Sequence, residues 1–260
     1  LLESAIGDAY GAGFEFAGEN LGRNNLLTYI KHPRHSDVRL GMYTDDTQMS
    51  MAIAELMLLD APWSPINIFS SFFSVFKRDP RKGYSPGFQR ILETVSTPNE
   101  LYKIIKPDSD KSGSAMRAAP IGFYSDIKEV ILKSTLQART THNTIMGVAS
   151  AVATSLAAHY MYYNLGPKNN ICQFLNNLQP GIVWTPTHEG KVSIKGYACV
   201  SAALTTIVQN NSMSDILKQC VNFSGDVDTT SSIALAIASC SQEIKQDIPD
   251  NLKITLENGT

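Results

Sequence analysis

Two acidic clusters, each leading into an apolar stretch, are the residues of this sequence best suited to chemistry. The first is YTDDTQMS at positions 43–50, and the second is GDVDTTSS at positions 225–232. Short acidic and hydroxyl side chains at the start of a helix cap its free N–H groups, so either cluster alone is as readily a helix cap as a functional site. The same arrangement occurring twice favours one site built from both.

The aspartates of the two clusters would repel one another strongly if they met in a buried site. A hard divalent cation relieves such repulsion, and Mg²⁺ takes carboxylate and hydroxyl oxygens while keeping water that a substrate can replace. The clusters therefore predict a magnesium site with enough oxygen ligands for two ions, and the lack of histidine in them disfavours zinc. The candidate ligands are Asp45, Asp46, Asp226 and Asp228, with the hydroxyls of Thr44, Thr47 and Thr229.

A third acidic segment is IGDAYGAGFEF at positions 6–16. Asp8 and Glu15 lie seven residues apart, which places them on one face of a continuous helix, but the glycines and Phe14 favour a helix end before Glu15. Glu15 is therefore either a site residue or a surface carboxylate beside a core phenylalanine.

Helical patterns dominate the chain. TPNELYKII opens with a capping box, in which Thr97 is the N-cap and Pro98 the first helical residue, and Ser64 and Pro65 open another helix in the same way. The run at 144–163 reads as a buried helix, whereas strand signals at 181–185 and 191–194 predict at most a small ribbon. We predict a compact all-α domain of about ten or more helices that spans 1–260 as a single unit.

The composition excludes several classes of protein. The net charge of -2 does not favour binding to nucleic acid or to an anionic membrane. No apolar stretch has the pattern of a membrane span or a signal peptide. The four cysteines form no metal or redox motif, so buried thiols in a reducing, cytoplasmic setting are expected. The basic segment at 31–40 is predicted to be a solvated loop. Arg117 is expected to pair with either a carboxylate or a phosphate.

Five segments together resemble the ADP-ribosylglycohydrolase family in order and spacing, from residue 6 to about residue 240. They are GDAYGAGFEF, YTDDTQMS, SGSAMRAAPIG, TTHNTIMGVASAVA and GDVDTTSSIALAIA. The resemblance implies an all-α fold of orthogonally packed helices and two Mg²⁺ ions, with Mn²⁺ as a substitute. It also implies hydrolysis of the N- or O-glycosidic bond that joins ADP-ribose to a side chain or small acceptor.

The resemblance also assigns roles to individual residues. It implies metal ligation by Thr44, Asp45, Asp46, Asp226, Asp228 and Thr229. It gives Glu15 a role in gating the site or assisting catalysis. From the chemistry we expect Glu15 to transfer a proton and Asp46 or Asp226 to orient the water. Ser112, Gly113, Ser114 and Met116 fall on the loop that holds the diphosphate, and His142 falls on the ADP-ribose side of the cleft. Ser112, Ser114 and Ser224 depart from the residues that are common at these places, which affects substrate geometry rather than metal ligation.

Two other functions stay open from the sequence. Two-metal sites also serve phosphoester hydrolysis, and a non-catalytic ADP-ribose-binding or structural member is conceivable, since crystallins resemble this family. The sequence does not specify the linkage, which depends on loops around 17–43 and 164–192. We expect a monomer whose partner is ADP-ribose, an ADP-ribosylated protein or a small molecule, with no membrane partner and with nucleic acid only as a modified substrate.

Overall fold

Thirteen α-helices form the framework of the computed structural model, which describes residues 1–59 and 61–259. They are α1 (Leu2–Ala12), α2 (Asp45–Leu58), α3 (Pro65–Arg78), α4 (Pro86–Thr94), α5 (Pro98–Ile104), α6 (Gly113–Met116), α7 (Ile127–Arg139), α8 (Ile145–Tyr162), α9 (Ile171–Leu178), α10 (Gly196–Gln209), α11 (Met213–Asn222), α12 (Val227–Ala238) and α13 (Asp250–Ile254). Short 3₁₀ helices cover Gly18–Arg23, Ala119–Phe123, Lys168–Asn170 and Leu256–Gly259.

The all-α prediction is confirmed. In the described ranges, extended segments pair only through isolated β-bridges. The segment 191–194, which was expected in a small ribbon, forms one of these bridges, between Val192 and Gly225. The 144–163 run is a buried helix, as predicted, with α8 enclosed along most of its length. Within the described residues, no helix is long and apolar enough to cross a membrane.

Five of the thirteen described α-helices start at an N-cap whose side chain accepts a hydrogen bond from the first turn. Thr97 accepts a hydrogen bond from the N–H of Glu100, and Ser64 accepts one from Asn67, which satisfies N–H groups that have no partner within the helix. The helices α2 and α12 are among those without such a cap, because neither Thr44 nor Asp226 caps its own helix with its side chain. The side chains that open these two helices are therefore available for other contacts.

The helices α1 and α12 pack so closely that one pair of backbones nearly touches. A Cβ added to Gly7 would lie 2.5 Å from the carbonyl oxygen of Ser231, and one added to Gly11 would lie 2.5 Å from the Cα of Asp228. Glycine at these positions is needed for space rather than for backbone conformation. The approach sets α1 directly against the first turns of α12, which carry the second acidic cluster.

We expect Gly7→Ala to lower the free energy of unfolding by about 1–3 kcal/mol, because the added methyl group forces two backbones apart. The matched control is Gly22→Ala, since a Cβ on the exposed Gly22 meets nothing within 4 Å. Urea unfolding of both variants measures the difference. Equal stability of the two variants would contradict the close approach of α1 and α12.

Candidate active site

Asp8 on α1 fixes the position of the first acidic cluster. Its carboxylate is fully buried and accepts hydrogen bonds from the backbone N–H groups of Thr44 and Thr47 at 3.0 Å and from both threonine hydroxyls at 2.6 Å. These four donors bind the start of α2, which has no cap of its own. This role of Asp8 was not predicted, because its partners are at least 36 residues away and no local pattern records the contact.

A tight turn presents the second cluster at the start of α12. Gly225 has φ of +91° and lies against the carbonyl of Val192, so this position favours glycine. Ser224 before it also lies in the left-handed region, at φ +58°, where the family resemblance expects glycine. Asp226 follows, and its Oδ2 accepts hydrogen bonds from the Ser112 hydroxyl at 3.2 Å and the Cys199 thiol at 3.5 Å.

The two clusters line one cavity of about 630 Å³, a size typical of small-molecule sites. Its acidic residues are Glu15, Asp45, Asp46, Asp108, Asp226 and Asp228, and Thr229 also lines it. Its apolar and aromatic residues include Met49, Tyr84, Phe88, Ile91, Ile105 and Met116, and its basic residues include Arg34, Lys106, Lys111 and Arg117. The structure therefore brings together the acidic residues that the sequence places about 180 positions apart.

Burial and mutual repulsion raise the pKa values of the aspartates in this cavity. Burial is the largest cause for Asp46, and the charges of Asp8, Asp45 and Asp226 add to it, so its pKa lies well above the ordinary value. The pKa of Asp228 is raised in the same way, first by burial and then by Glu15 and neighbouring aspartates. These shifts show that the folded protein holds the carboxylates close enough to repel one another.

The donor set fits a hard divalent cation. The Oδ1 atoms of Asp46 and Asp228 are buried without a hydrogen-bond partner in the described structure, although buried carboxylate oxygens are normally satisfied. Within 1–59 and 61–259, no group of three or more His, Cys, Asp or Glu side chains is already arranged to hold a metal ion. Ligation by three carboxylates would therefore require side chains to turn toward the ion, and the two unpartnered oxygens are free to do so.

Glu15 lies beyond the end of α1, as predicted, and its side chain is only 13% exposed. Arg34 forms an ion pair with it, and the Nε2 of His32 lies 3.4 Å from its Oε2. Burial raises the pKa of Glu15, but the contacts with His32 and Arg34 outweigh burial and hold its pKa below the ordinary value. The carboxylate is therefore ionised at neutral pH, as a group that accepts a proton must be, but its lowered pKa makes it a weaker base.

The basic segment at 31–40 is a loop in which most residues are exposed, as predicted, but His32 and Val38 are buried. His32 is buried, and its Nδ1 accepts hydrogen bonds from the backbone N–H groups of Arg34 at 3.0 Å and His35 at 3.2 Å. These bonds fold the segment over the cavity and direct the other ring nitrogen toward Glu15. The burial of His32 was not predicted, because the carboxylate that it approaches lies outside the segment.

The remaining predicted site residues differ in their access to the cavity. Ser112, Gly113, Met116 and His142 line it, whereas Ser114 and Thr44 are fully buried behind the wall. The Ser114 hydroxyl donates to the Gly147 carbonyl at 2.8 Å, and the Thr44 hydroxyl donates to Asp8. Donation leaves the Thr44 oxygen with lone pairs, so its proposed ligand role stays a prediction, as do the roles of the other site residues.

The same substitution at two aspartates is expected to have opposite effects in EDTA. Asp8→Asn places an amide N–H₂ against N–H and hydroxyl donors and should lower the free energy of unfolding by about 2–4 kcal/mol. Asp46→Asn removes a repelled charge and should raise it by about 1–2 kcal/mol. Urea unfolding of both variants and the parent protein shows whether each substitution raises or lowers the free energy of unfolding.

The gain from Asp46→Asn should also grow with pH. Because its pKa is raised above 3.8 on folding, the folded protein binds more protons than the unfolded chain above about pH 4, so the parent protein loses stability as the pH rises. The comparison is made at about pH 5 and pH 8. A gain that shrinks with pH, or two losses of equal size, would contradict this description of the cluster.

Known proteins share both the sequence pattern and the fold. ADP-ribosylhydrolase ARH3 of Xenopus tropicalis is 26% identical over 191 residues, which cover 69% of this chain and 54% of that protein. The ADP-ribosyl-dinitrogen-reductase glycohydrolase of Rhodospirillum rubrum is 26% identical over 267 residues, covering 95% of this chain and 85% of that protein. This chain thus spans about half the length of ARH3 and most of the bacterial protein.

A solved structure and a family model extend the match over the whole chain. The structure of an ADP-ribosylglycohydrolase-related protein complex superposes with a TM-score of 0.64 at 18% identity and covers 100% of this chain and 96% of that one. At this identity the similarity shows the fold. The ADP-ribosylglycohydrolase family model matches residues 1–260. With its full-length match and its shared fold, this chain belongs to the ADP-ribosylglycohydrolase family.

Proposed function

We propose that this protein is a magnesium-dependent ADP-ribosylhydrolase, which cleaves the glycosidic bond between ADP-ribose and a protein side chain or small acceptor. The observation that carries the proposal is one cavity lined by four buried aspartates from the starts of α2 and α12. Membership of the family and the names of its relatives support the reaction class. The oxygen-rich donors support one or two Mg²⁺ ions, with Mn²⁺ as a substitute.

The cavity wall offers a matching side chain for each part of ADP-ribose. Lys106 and Lys111 supply positive charge for the diphosphate, and the glycine-containing turn at Ser112 and Gly113 allows close approach of backbone N–H groups. Tyr84 and other aromatic and aliphatic side chains of the wall supply surface on which a base can stack. The aspartates face ribose hydroxyls, either directly or through a cation.

The chemical step assigned to these residues is addition of water at the anomeric carbon. Mg²⁺ held by the four aspartates, with Thr44 and Thr229, would supply positive charge for the ribose hydroxyls and for a water molecule. Asp46 and Asp226 orient the water, and the ionised Glu15 accepts its proton as the oxygen bonds to the anomeric carbon. The electron pair of the broken glycosidic bond leaves with the acceptor atom, to which Glu15 returns the proton.

The carboxylates also oppose the charge that develops in this reaction. A glycosidic transition state resembles an oxocarbenium ion, so nearby negative side chains stabilise it more than they stabilise the substrate. A two-metal phosphoester hydrolase would use a similar donor set, and a non-catalytic member would bind ADP-ribose without turnover. The products distinguish the three functions: free ADP-ribose, free phosphate, or neither.

Calorimetric titration of ADP-ribose into the protein, in Mg²⁺ and then in EDTA, tests the proposal. We expect binding that requires Mg²⁺ and that weakens by about 10-fold or more in Asp228→Asn, because the variant loses one anionic ligand. With serine- or arginine-linked ADP-ribosyl peptides, the same variant should release ADP-ribose about 100-fold more slowly. Asp250→Asn, at a highly exposed carboxylate, is the matched control and should behave as the parent protein.

Three outcomes would contradict the proposal in different ways. Full binding in EDTA would mean that the ligand is held without a metal ion. Binding without release of ADP-ribose from any linkage would favour the non-catalytic member. Release of phosphate from a phosphoester, with no ADP-ribose formed, would favour the phosphoester hydrolase.

A further inference from the structure

Arg117, which follows α6, is a buried cation without a carboxylate partner among the described residues. It is 2% exposed, its Nε donates to the Gln137 side chain at 2.7 Å, and the ring of Phe72 lies 4.5 Å from the guanidinium carbon. Burial lowers its pKa to about 9, which leaves it protonated at neutral pH. The sequence allowed either a carboxylate or a phosphate as the partner of Arg117. Among the described residues no carboxylate pairs with it, and the cation instead contacts neutral polar groups.

One of these neutral groups connects Arg117 to the ligand cavity. The Nη2 of Arg117 donates to the Thr141 hydroxyl at 2.8 Å, and this hydroxyl lies 2.6 Å from the Nδ1 of His142. A protonated guanidinium has donors and no acceptor, so the Thr141 oxygen must be the acceptor in the first bond. In the described structure the hydroxyl has no third partner. Of the described groups, Nδ1 is therefore the one that can accept the single hydroxyl proton.

The direction of this bond decides which nitrogen of His142 carries a proton. Burial, followed by the charge of Arg117, lowers the pKa of His142 to about 3, so the ring is neutral at physiological pH. With Nδ1 accepting from Thr141, the proton of the neutral ring lies on Nε2. His142 lines the cavity, and a Cβ on Gly113 would lie 3.3 Å from this nitrogen, so the donor stands beside the turn proposed to hold phosphate.

We propose that Arg117 and Thr141 are positioning residues, which fix His142 as a neutral Nε2–H donor to an anionic oxygen of the bound ligand. The proton location is a property of the protein alone, whereas the identity of the ligand oxygen as a phosphate oxygen of ADP-ribose rests on the proposed function. We call the hydrogen bonds from Arg117 to Thr141 and from Thr141 to His142 the relay. Without the relay, the Nδ1–H and Nε2–H forms of the neutral His142 ring would compete, and only the Nε2–H form presents a donor toward Gly113.

Long-range ¹H–¹⁵N correlation spectra of histidine-labelled protein without ligand test the proton location directly. Protonated and unprotonated ring nitrogens resonate in separate ranges, and a His142→Gln spectrum assigns the signals among the five histidines. We expect His142 to show an unprotonated Nδ1 and a protonated Nε2 that do not change between about pH 5 and 8. A protonated Nδ1, or a ring that titrates within this range, would overturn the relay.

Thr141→Val and Thr141→Ser form a matched pair that tests the consequence for binding. Valine keeps the shape and removes the hydroxyl, whereas serine keeps the hydroxyl. We expect the His142 nitrogen signals to move in Thr141→Val, with ADP-ribose binding about 3- to 10-fold weaker, and both to return to parent values in Thr141→Ser. Far-UV circular dichroism and an unchanged Mg²⁺ dependence show that the fold and the acidic clusters are intact.

The outcomes separate this proposal from the proposed function. If ADP-ribose does not bind the parent protein, the proposed function fails, and the spectra of the ligand-free protein still decide the relay. If ADP-ribose binds equally to the parent, valine and serine variants while the nitrogen signals move, the positioning role is overturned. Equal weakening in both threonine variants would also overturn it, because a lost hydroxyl could not be the cause.

Discussion

Repulsion among buried carboxylates is the constraint on which the rest of this structure depends. Asp45, Asp46, Asp226 and Asp228 are each less than a tenth exposed, and burial raises the pKa of each of them. Such a cluster persists only if the framework around it is rigid enough to hold the groups together. The close contact of α1 with α12 and the hydrogen bonds from the start of α2 to α1 provide that rigidity. The helices that carry the two clusters are thus held by the same central element.

The buried carboxylates differ in how far the protein satisfies them. Asp8 accepts hydrogen bonds from Thr44 and Thr47, at the two ends of the first turn of α2, and so holds the start of this helix against α1. Asp46 and Asp228 each keep one buried oxygen without a partner in the described residues, at a cost that a purely structural carboxylate would avoid. Glu15 is a third case, since Arg34 holds it ionised at the edge of the same cavity. The contrast supports a division between residues that hold the framework and residues reserved for a ligand.

Local signals in the sequence were sufficient for the helices and for the members of the acidic clusters. The cap at Thr97 and the buried helix at 144–163 depend on contacts within a few residues, which a sequence pattern records. Contacts between distant segments were not predictable: Asp8 with the start of α2, Arg34 with Glu15, and Arg117 with Thr141. Each joins polar groups whose spacing depends on how helices pack, and a single sequence carries no record of that packing. The metal ions, the linkage cleaved and the role of each site residue stay predictions for the same reason.

Crystals of the protein grown with Mn²⁺ and measured near the Mn absorption edge test whether the buried carboxylates bind a cation. We expect one or two anomalous peaks between the starts of α2 and α12, within bonding distance of Asp46 and Asp228, whose free oxygens turn toward the ion. We also expect the peaks to vanish in Asp228→Asn crystals grown in the same solution. The absence of peaks in the parent protein at saturating Mn²⁺, or peaks elsewhere in the cavity, would contradict the claim that these carboxylates are held together to bind a cation.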